Sequence, residues 1–232
     1  MNAVTGTYRL IYEEMRWILV IFSSITILIS AICLTIGSLF NIGFTTSLFG
    51  PIYGGVCVLG AIGFTTIFPI AIGLGSTRTQ YMKSYYAISS LMVIGIISIL
   101  NIIYFAFYLL REQGLHSLSF FHPANLFSPD YHVFYYLLID LMIGFLLLGL
   151  SSFITACWRK LGTRKFLVLF FSINILITYL FTTTNLFSKI VPFLFEHTLL
   201  TFIGCGLIGV LLHVATYPIM KHISLTFKPV QS

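Results

Sequence analysis

Apolar positions along this chain fall in long unbroken runs, not in the short alternating segments of a sheet protein. Six runs reach the length of about 20 residues that a helix, rising about 1.5 Å per residue, needs to cross about 30 Å of hydrocarbon. They extend from about Trp17 to Leu39, Tyr53 to Leu74, Tyr85 to Leu110, Phe134 to Trp158, Phe166 to Phe187 and Thr198 to Met220. The first five hold no Lys or Arg in their interior, and Asp140 is the one full charge inside any span. Membrane β-strands would be shorter and would alternate apolar with polar residues, so the pattern predicts helices.

The segment ahead of the first run has a helical period of its own. Tyr8, Ile11, Tyr12, Met15 and Leu19 recur at spacings of three and four, with Arg9, Glu13 and Arg16 between them. That describes an amphipathic helix lying in the membrane interface before the chain turns into span one, the alternative being a charged flank of that span. The expected organisation is an interfacial helix over residues 1–16, a six-helix domain over 17–220 and a short tail over 221–232. The run after the amino end is too long for a cleavable secretory signal, and no small-residue cleavage site follows it, so none is expected.

Composition agrees with the pattern. Of 232 residues, 58% are hydrophobic and 8% charged, with 12 Lys+Arg and 6 Asp+Glu, and the mean hydropathy is +1.02. Soluble domains carry about 25% charged residues; this chain cannot clothe itself for water, which excludes a soluble enzyme, a disordered chain and a coiled coil. The net charge of +6 takes its meaning from where the cations sit. Arg9, Arg16, Arg78, Lys83, Arg159, Lys160, Arg164, Lys165, Lys221 and Lys228 lie at the ends and in the second and fourth loops, against Arg111 and Lys189 in the others. Cytoplasmic loops concentrate Lys and Arg, so both termini are expected in the cytoplasm, and an even span count agrees with both ends lying on one side. The basic excess is topological, and no nucleic-acid partner is expected. The fold class is an all-α membrane protein with six transmembrane helices and an amphipathic amino-terminal helix.

The sequence shows no residues for catalysis. It has no G-x-S-x-G elbow, no H-E-x-x-H and no G-x-x-x-x-G-K-[ST] phosphate loop. Glu13-Glu14 is similar to the paired glutamates of intramembrane CAAX-type proteases, but Ile18 stands where their arginine would follow. Cys33, Cys57, Cys157 and Cys205 lack metal-ligand spacing and read as small packing residues. His116, His122 and His132 in the longest loop match no ligand spacing either, and read as ordinary loop residues. No metal and no cofactor on this chain are expected.

The short basic loops carry the most specific signal. Loop two includes Gly75-Ser76-Thr77-Arg78-Thr79-Gln80-Tyr81-Met82-Lys83, after Pro69 at the end of span two; loop four reads Trp158-Arg159-Lys160-Leu161-Gly162-Thr163-Arg164-Lys165. Both place a Gly, a hydroxyl residue and a cation at the membrane surface, where a short helix is expected to protrude toward a cytoplasmic partner. Generic positive-inside anchors are the bland alternative.

FPIAIGLGSTRTQYMKSYY (Phe68 to Tyr86) and WRKLGTRKF (Trp158 to Phe166), in six spans with both ends inside, resemble the small permease subunits of ABC transporters of the type-2 exporter class. Many such Gram-positive permeases carry G-x-x-R-x-x-F/Y after span two, here with Tyr81 where Phe is commoner. The resemblance implies a chain in the bacterial cytoplasmic membrane that pairs with a second permease subunit, identical or sister. It also implies two cytoplasmic ATPase subunits that hold ATP and Mg. Gly75, Ser76, Thr77, Arg78, Thr79, Gln80, Tyr81 and Lys83 would form the main coupling segment, with Arg159, Lys160, Arg164 and the amino-terminal helix adding contacts. ATP binding and hydrolysis would then alternate access to a pathway between the permeases.

The residues themselves suggest what lines that pathway. Asn174, Thr178, Thr182 and Asn185 stack on one face of span five, and Ser23, Thr26, Ser30 and Gly37 share a stripe in span one. Such faces should meet another helix or a polar cavity, hydrogen-bonded packing within the subunit being the alternative. Gly54, Gly55, Gly60 and Gly63, with Gly204, Gly206 and Gly209, read as close-packing seams. Asp140 should be paired, with His213 or Arg111 as partner, in a structural role ahead of a proton relay.

The leading expectation is thus export of an amphipathic or hydrophobic compound, such as a peptide or antibiotic, driven by separate ATPase subunits. A non-transporting immunity or binding module is the rival of a different class. A proton-coupled secondary transporter using Asp140 is the third reading, weakened because spans one to three do not visibly repeat as four to six.

Overall fold

The computed structural model of the chain describes residues 3–40, 44–112, 118–127, 131–184 and 186–223. In chain order these form α1 (Ala3–Phe40), β1 (Phe44–Ser47), α2 (Gly50–Ile62), a π-helical turn (Gly63–Ile67) and α3 (Phe68–Gly73). There follow α4 (Arg78–Glu112), β2 (Leu118–Phe121), a 3-10 turn (Pro123–Leu126), α5 (Val133–Leu161), α6 (Thr163–Thr183), α7 (Leu186–Glu196) and α8 (Thr198–Lys221). Six helical stretches among the described residues are long and apolar enough to cross a membrane: Thr5–Cys33, Gly50–Gly73, Arg78–Leu109, Val133–Leu161, Thr163–Thr183 and Thr198–Lys221. Each overlaps one of the six runs read from the sequence. Their outward faces are apolar, as Phe134 at 85% exposure and Ile175 and Val168 at 69% illustrate. Water would penalise such faces at about 25 cal/mol per Å² and lipid would not, so the six helices are those of a candidate multi-pass membrane protein.

The amino end differs from expectation. Helix α1 runs unbroken for 38 residues, about 57 Å at 1.5 Å per residue, and no turn separates residues 1–16 from span one. An α-helix whose backbone bonds are all internal has no reason to break where side-chain character changes from amphipathic to wholly apolar. Its buried stripe is Thr7, Ile11, Met15, Ile18, Leu19, Thr26 and Ser30, while Tyr8 and Tyr12 face outward. The face read as membrane-seeking is therefore divided: Ile11, Met15 and Leu19 pack on protein. Arg16 lies outside, paired with Glu13 at 2.8 Å and placed 5.9 Å from the Tyr12 ring centroid.

Span five ends at Thr183 rather than near Phe187, and the eleven-residue α7, with Pro192 inside it, precedes α8. The tail beyond residue 223 lies outside the described residues.

Helix α5 forms the centre and packs most extensively on α8, then on α2. The α5–α8 contact is a glycine seam. A Cβ on Gly149 would stand 1.9 Å from the Gly209 carbonyl oxygen, and one on Gly209 would stand 2.4 Å from Leu146 Cα. Only a missing side chain lets these backbones approach so closely, which in lipid supplies dispersion contacts where no hydrophobic drive exists. Gly60 and Gly63 similarly admit Ser151 and the Tyr85 ring, whereas Gly204 has open space beside it. Beyond the far end of α1, β1 and β2 pair in parallel from Phe44 opposite Leu118 to Ser47 opposite Phe121. This ribbon ties the connection after α1 to the connection after α4.

Candidate functional site

At the end that holds the start of α1 and the end of α8, the α3–α4 connection is a tight turn. Helix α3 closes with a Schellman motif: Ser76 N–H bonds the Ala71 carbonyl and Gly75 N–H bonds the Ile72 carbonyl, both at 3.0 Å. Gly75 takes φ +91°, a conformation that residues with a Cβ rarely adopt. Thr77 then caps α4, its carbonyl accepting from Tyr81 N–H at 2.9 Å and its hydroxyl accepting from Gln80 N–H at 3.3 Å.

The residues expected to form a protruding coupling helix are thus the turn itself and the first turns of α4. Gly75, Thr77, Thr79 and Lys83 are exposed, Arg78 and Gln80 are half-buried, and Ser76 and Tyr81 are buried. Three chain segments lock together here. Thr7 Oγ1 donates to Ser76 Oγ at 3.0 Å, joining α1 to the turn, and Arg78 Nη1 donates to the Lys221 carbonyl at 2.8 Å, joining it to the end of α8.

Tyr81 points inward. Its hydroxyl donates to the Gly63 carbonyl, and its ring stacks on Tyr85 and meets Phe68 edge-on. Tyr85 donates to the Gly60 carbonyl at 3.1 Å. In the second basic turn, Gly162 at φ +77° separates α5 from α6. Lys160, Arg164 and Lys165 beside it are exposed, but Arg159 turns back. Its Nη1 donates to the Phe64 carbonyl, and its guanidinium carbon lies 5.8 Å from the Phe68 ring centroid. Tyr81 and Arg159 therefore grip the π-helical turn, a placement that no feature of their own sequence neighbourhoods signals.

The second polar centre lies near the opposite end. Asp140, about two turns into α5, is fully buried. Its Oδ1 accepts from the Tyr53 hydroxyl of α2 at 2.8 Å; its Oδ2 accepts from Asn101 Nδ2 of α4 at 2.7 Å and from His122 Nε2 at 2.9 Å. His122 Nδ1 accepts from Ala124 N–H at 3.1 Å, so the ring hydrogen aimed at Asp140 sits on Nε2. Three donors offset much of the cost of burying a carboxyl group.

Both earlier expectations about these residues need correction. His122 is a buried anchor, not an ordinary loop residue, because β2 and the 3-10 turn fold it inward among Phe49, Tyr104 and Tyr136. His213 is not the partner of Asp140. It sits toward the other end of the core, with Ser89 at 3.1 Å on Nε2 and Ser152 at 3.1 Å on Nδ1. The Arg111 side chain lies outside the described residues. Tyr131, at the mouth of this aromatic cluster, has its phenol pushed up to about 12 by burial, then by Tyr104 and Asp140.

Helix α6 has no buried residue. Asn174 Nδ2 donates to the Phe170 carbonyl at 2.7 Å, Thr178 Oγ1 to the Asn174 carbonyl at 2.9 Å and Thr182 Oγ1 to the Thr178 carbonyl at 2.8 Å. The stripe is real and outward-facing, but its hydroxyls are satisfied along their own helix, which lowers the cost of meeting lipid. Asn185 lies outside the described residues. In span one Thr26 and Ser30 are buried against the protein, while the Gly37 position lies outside the described side chains. The four cysteines are free and half-buried, and no cluster of three or more His, Cys, Asp or Glu that could hold a metal occurs among the described residues.

Comparison with known proteins finds no matching family model, curated protein or solved structure.

Proposed function

We propose that this chain is the membrane-spanning permease subunit of an ATP-driven exporter, acting with two separate ATPase subunits and a second permease subunit. The cargo is an amphipathic or hydrophobic compound, such as a peptide or antibiotic, because six almost uncharged spans offer little to a sugar or an ion. The observation that carries the reading is the knot at the α3–α4 turn, where the Gly75–Lys83 segment bonds both the amino-terminal helix, through Ser76, and the end of α8, through Arg78. A push on this turn is delivered to three helices at once, as a coupling element requires. Thr77, Thr79 and Lys83 are the exposed groups that would meet the ATPase, with Lys160 and Arg164 on the neighbouring turn. Helix α6, with nothing buried, is the face on which a second permease subunit would sit.

The test is purification of the tagged protein from its native cells in mild detergent, with mass spectrometry of what accompanies it. Recovery of a subunit with ATP-binding motifs, lost when Arg78 is changed, supports the proposal. Recovery of the chain alone, intact and monodisperse, overturns it and favours a non-transporting binding module. Proton-coupled transport is a second reading, favoured by the fully buried Asp140 with no Lys or Arg partner among the described residues. An Asp140→Asn protein that folds normally but loses transport would decide for it.

A further inference from the structure

Between α2 and α3 the helix carries one residue too many per turn: Phe68 N–H bonds the Gly63 carbonyl five residues back. The cause is legible in the side chains around it. Pro69 has no N–H, and in an α register its ring would press on the carbonyl four residues back, that of Thr65. The π register moves the proline away from that carbonyl at a cost. Phe68 has given its N–H to Gly63, and Pro69 has none to give, so the Phe64 carbonyl is left without a helical donor. Arg159 supplies the missing hydrogen from α5, and Tyr81 adds a second donor at Gly63 from α4. In the α register Phe68 N–H would itself reach the Phe64 carbonyl, which would then no longer depend on Arg159 for a donor. The two registers therefore differ in which donor serves one carbonyl.

We propose that the π-turn is a two-register joint, that Arg159 and Tyr81 are the positioning residues that select its π state, and that movement of the two basic turns releases it. One step of register turns α3 by about 100° relative to α2, since an α-helix advances 3.6 residues per turn. Arg159 lies three residues before Gly162 and Tyr81 lies four after Thr77, so each pin is rooted in one of the turns. What drives them, an ATPase at the turns, rests on the permease reading; the joint itself does not.

The experiment uses the full chain in membranes, with its natural cysteines replaced by alanine and single cysteines placed in turn at positions 70, 71, 72 and 73. Maleimide labelling then reads which face of α3 is open. In the parent, position 70 labels and position 71, where Ala71 is buried, does not. In Pro69→Ala, which restores the backbone donor, labelling at position 71 rises to the level seen at position 70. Arg159→Gln alone lowers the unfolding temperature of the detergent-solubilised chain, and adding Pro69→Ala restores it, because the orphaned carbonyl no longer exists. If Arg159→Gln does not fold, Arg159→Lys and Tyr81→Phe, which keep the packing, are measured in the same cycle.

Equal losses from Arg159→Gln in the parent and in the Pro69→Ala background, or a labelling pattern unmoved by Pro69→Ala, would overturn the proposal. In complexes that retain an ATPase, ATP shifts the parent pattern and leaves Pro69→Ala unmoved; an unshifted parent overturns the coupling of the joint to the turns. Absence of any ATPase removes the permease reading, and the Pro69–Arg159 cycle still decides the joint.

Discussion

His122 Nε2 donates to Asp140 Oδ2 at 2.9 Å across 18 residues of sequence, with both side chains fully buried. The bond pins the connection after α4 onto the side of α5. Tyr53 and Asn101 bring α2 and α4 to the same carboxyl group, so one side chain holds three helices and a loop at this end.

Replacing His122 by Ala should cost about 1–3 kcal/mol, because it removes one donor from a buried carboxyl group, and more for the Ala124 cap lost with it. Asp140→Asn should also destabilise, since an amide presents a donor where three donors converge. Thermal unfolding of the detergent-solubilised protein measures both. Unchanged unfolding temperatures in both variants would refute the anchoring role.

The glycine seam makes a sharper contrast. Gly149→Ala should cost about 1–3 kcal/mol or more by overpacking against the Gly209 backbone, with Gly209→Ala similar. Gly204→Ala, on the same α8 with nothing within 4 Å of its added Cβ, should be neutral or gain up to about 1 kcal/mol of helix propensity. Equal effects at positions 149 and 204 would refute the close α5–α8 approach.

Inward and outward residues of the basic turn should separate cleanly. Tyr81→Ala removes a fully buried ring and should cost about 3–5 kcal/mol, as buried aromatic truncations do. Thr79→Ala and Lys83→Ala, both exposed, should stay within about 0.5 kcal/mol and, if the chain is the proposed permease, should weaken stimulation of its ATPase. If stimulation survives both substitutions and their combination, these residues do not dock a partner.

On α6, changing Asn174 to Leu and Thr178 and Thr182 to Val should leave the stability of the chain within about 0.5 kcal/mol, because none of the three is buried. If α6 is the face proposed for a second permease subunit, cross-linking between two copies and transport should both fall. Loss of stability without any change in self-association would instead assign the stripe to packing inside one subunit.

The six spans were legible because hydropathy is a property of each residue and a span is a local run of it; no distant contact alters the need to satisfy a backbone in lipid. The glycine seam was legible only in part: Gly209 stood out among small residues at helical spacing, but Gly149 opposite it did not, and Gly204 in the same run has open space beside it. The polar stripe of α6 could be placed on one face by its period, but not on a neighbour.

Other features needed the fold. The lone intramembrane acid announced itself in the sequence, yet its partners sit 87, 39 and 18 residues away, and His213, attractive as a titratable group in another span, packs with Ser89 and Ser152 instead. Arg159 read as one more surface cation because its neighbours are basic and its loop is short. Only the meeting of α5 with a helix that Pro69 forces out of register gives its guanidinium a carbonyl to serve.

By itself, then, the sequence determined a membrane protein of six helices, with its cations gathered at the ends and in alternate loops, because solvent preference is written residue by residue. The tertiary structure alone decided that α1 runs straight through its change of character, that His122 rather than His213 meets Asp140, and that Tyr81 and Arg159 face inward. Each of these depends on which helices lie side by side, and in lipid that choice rests on close packing and on the few polar groups that must find one another.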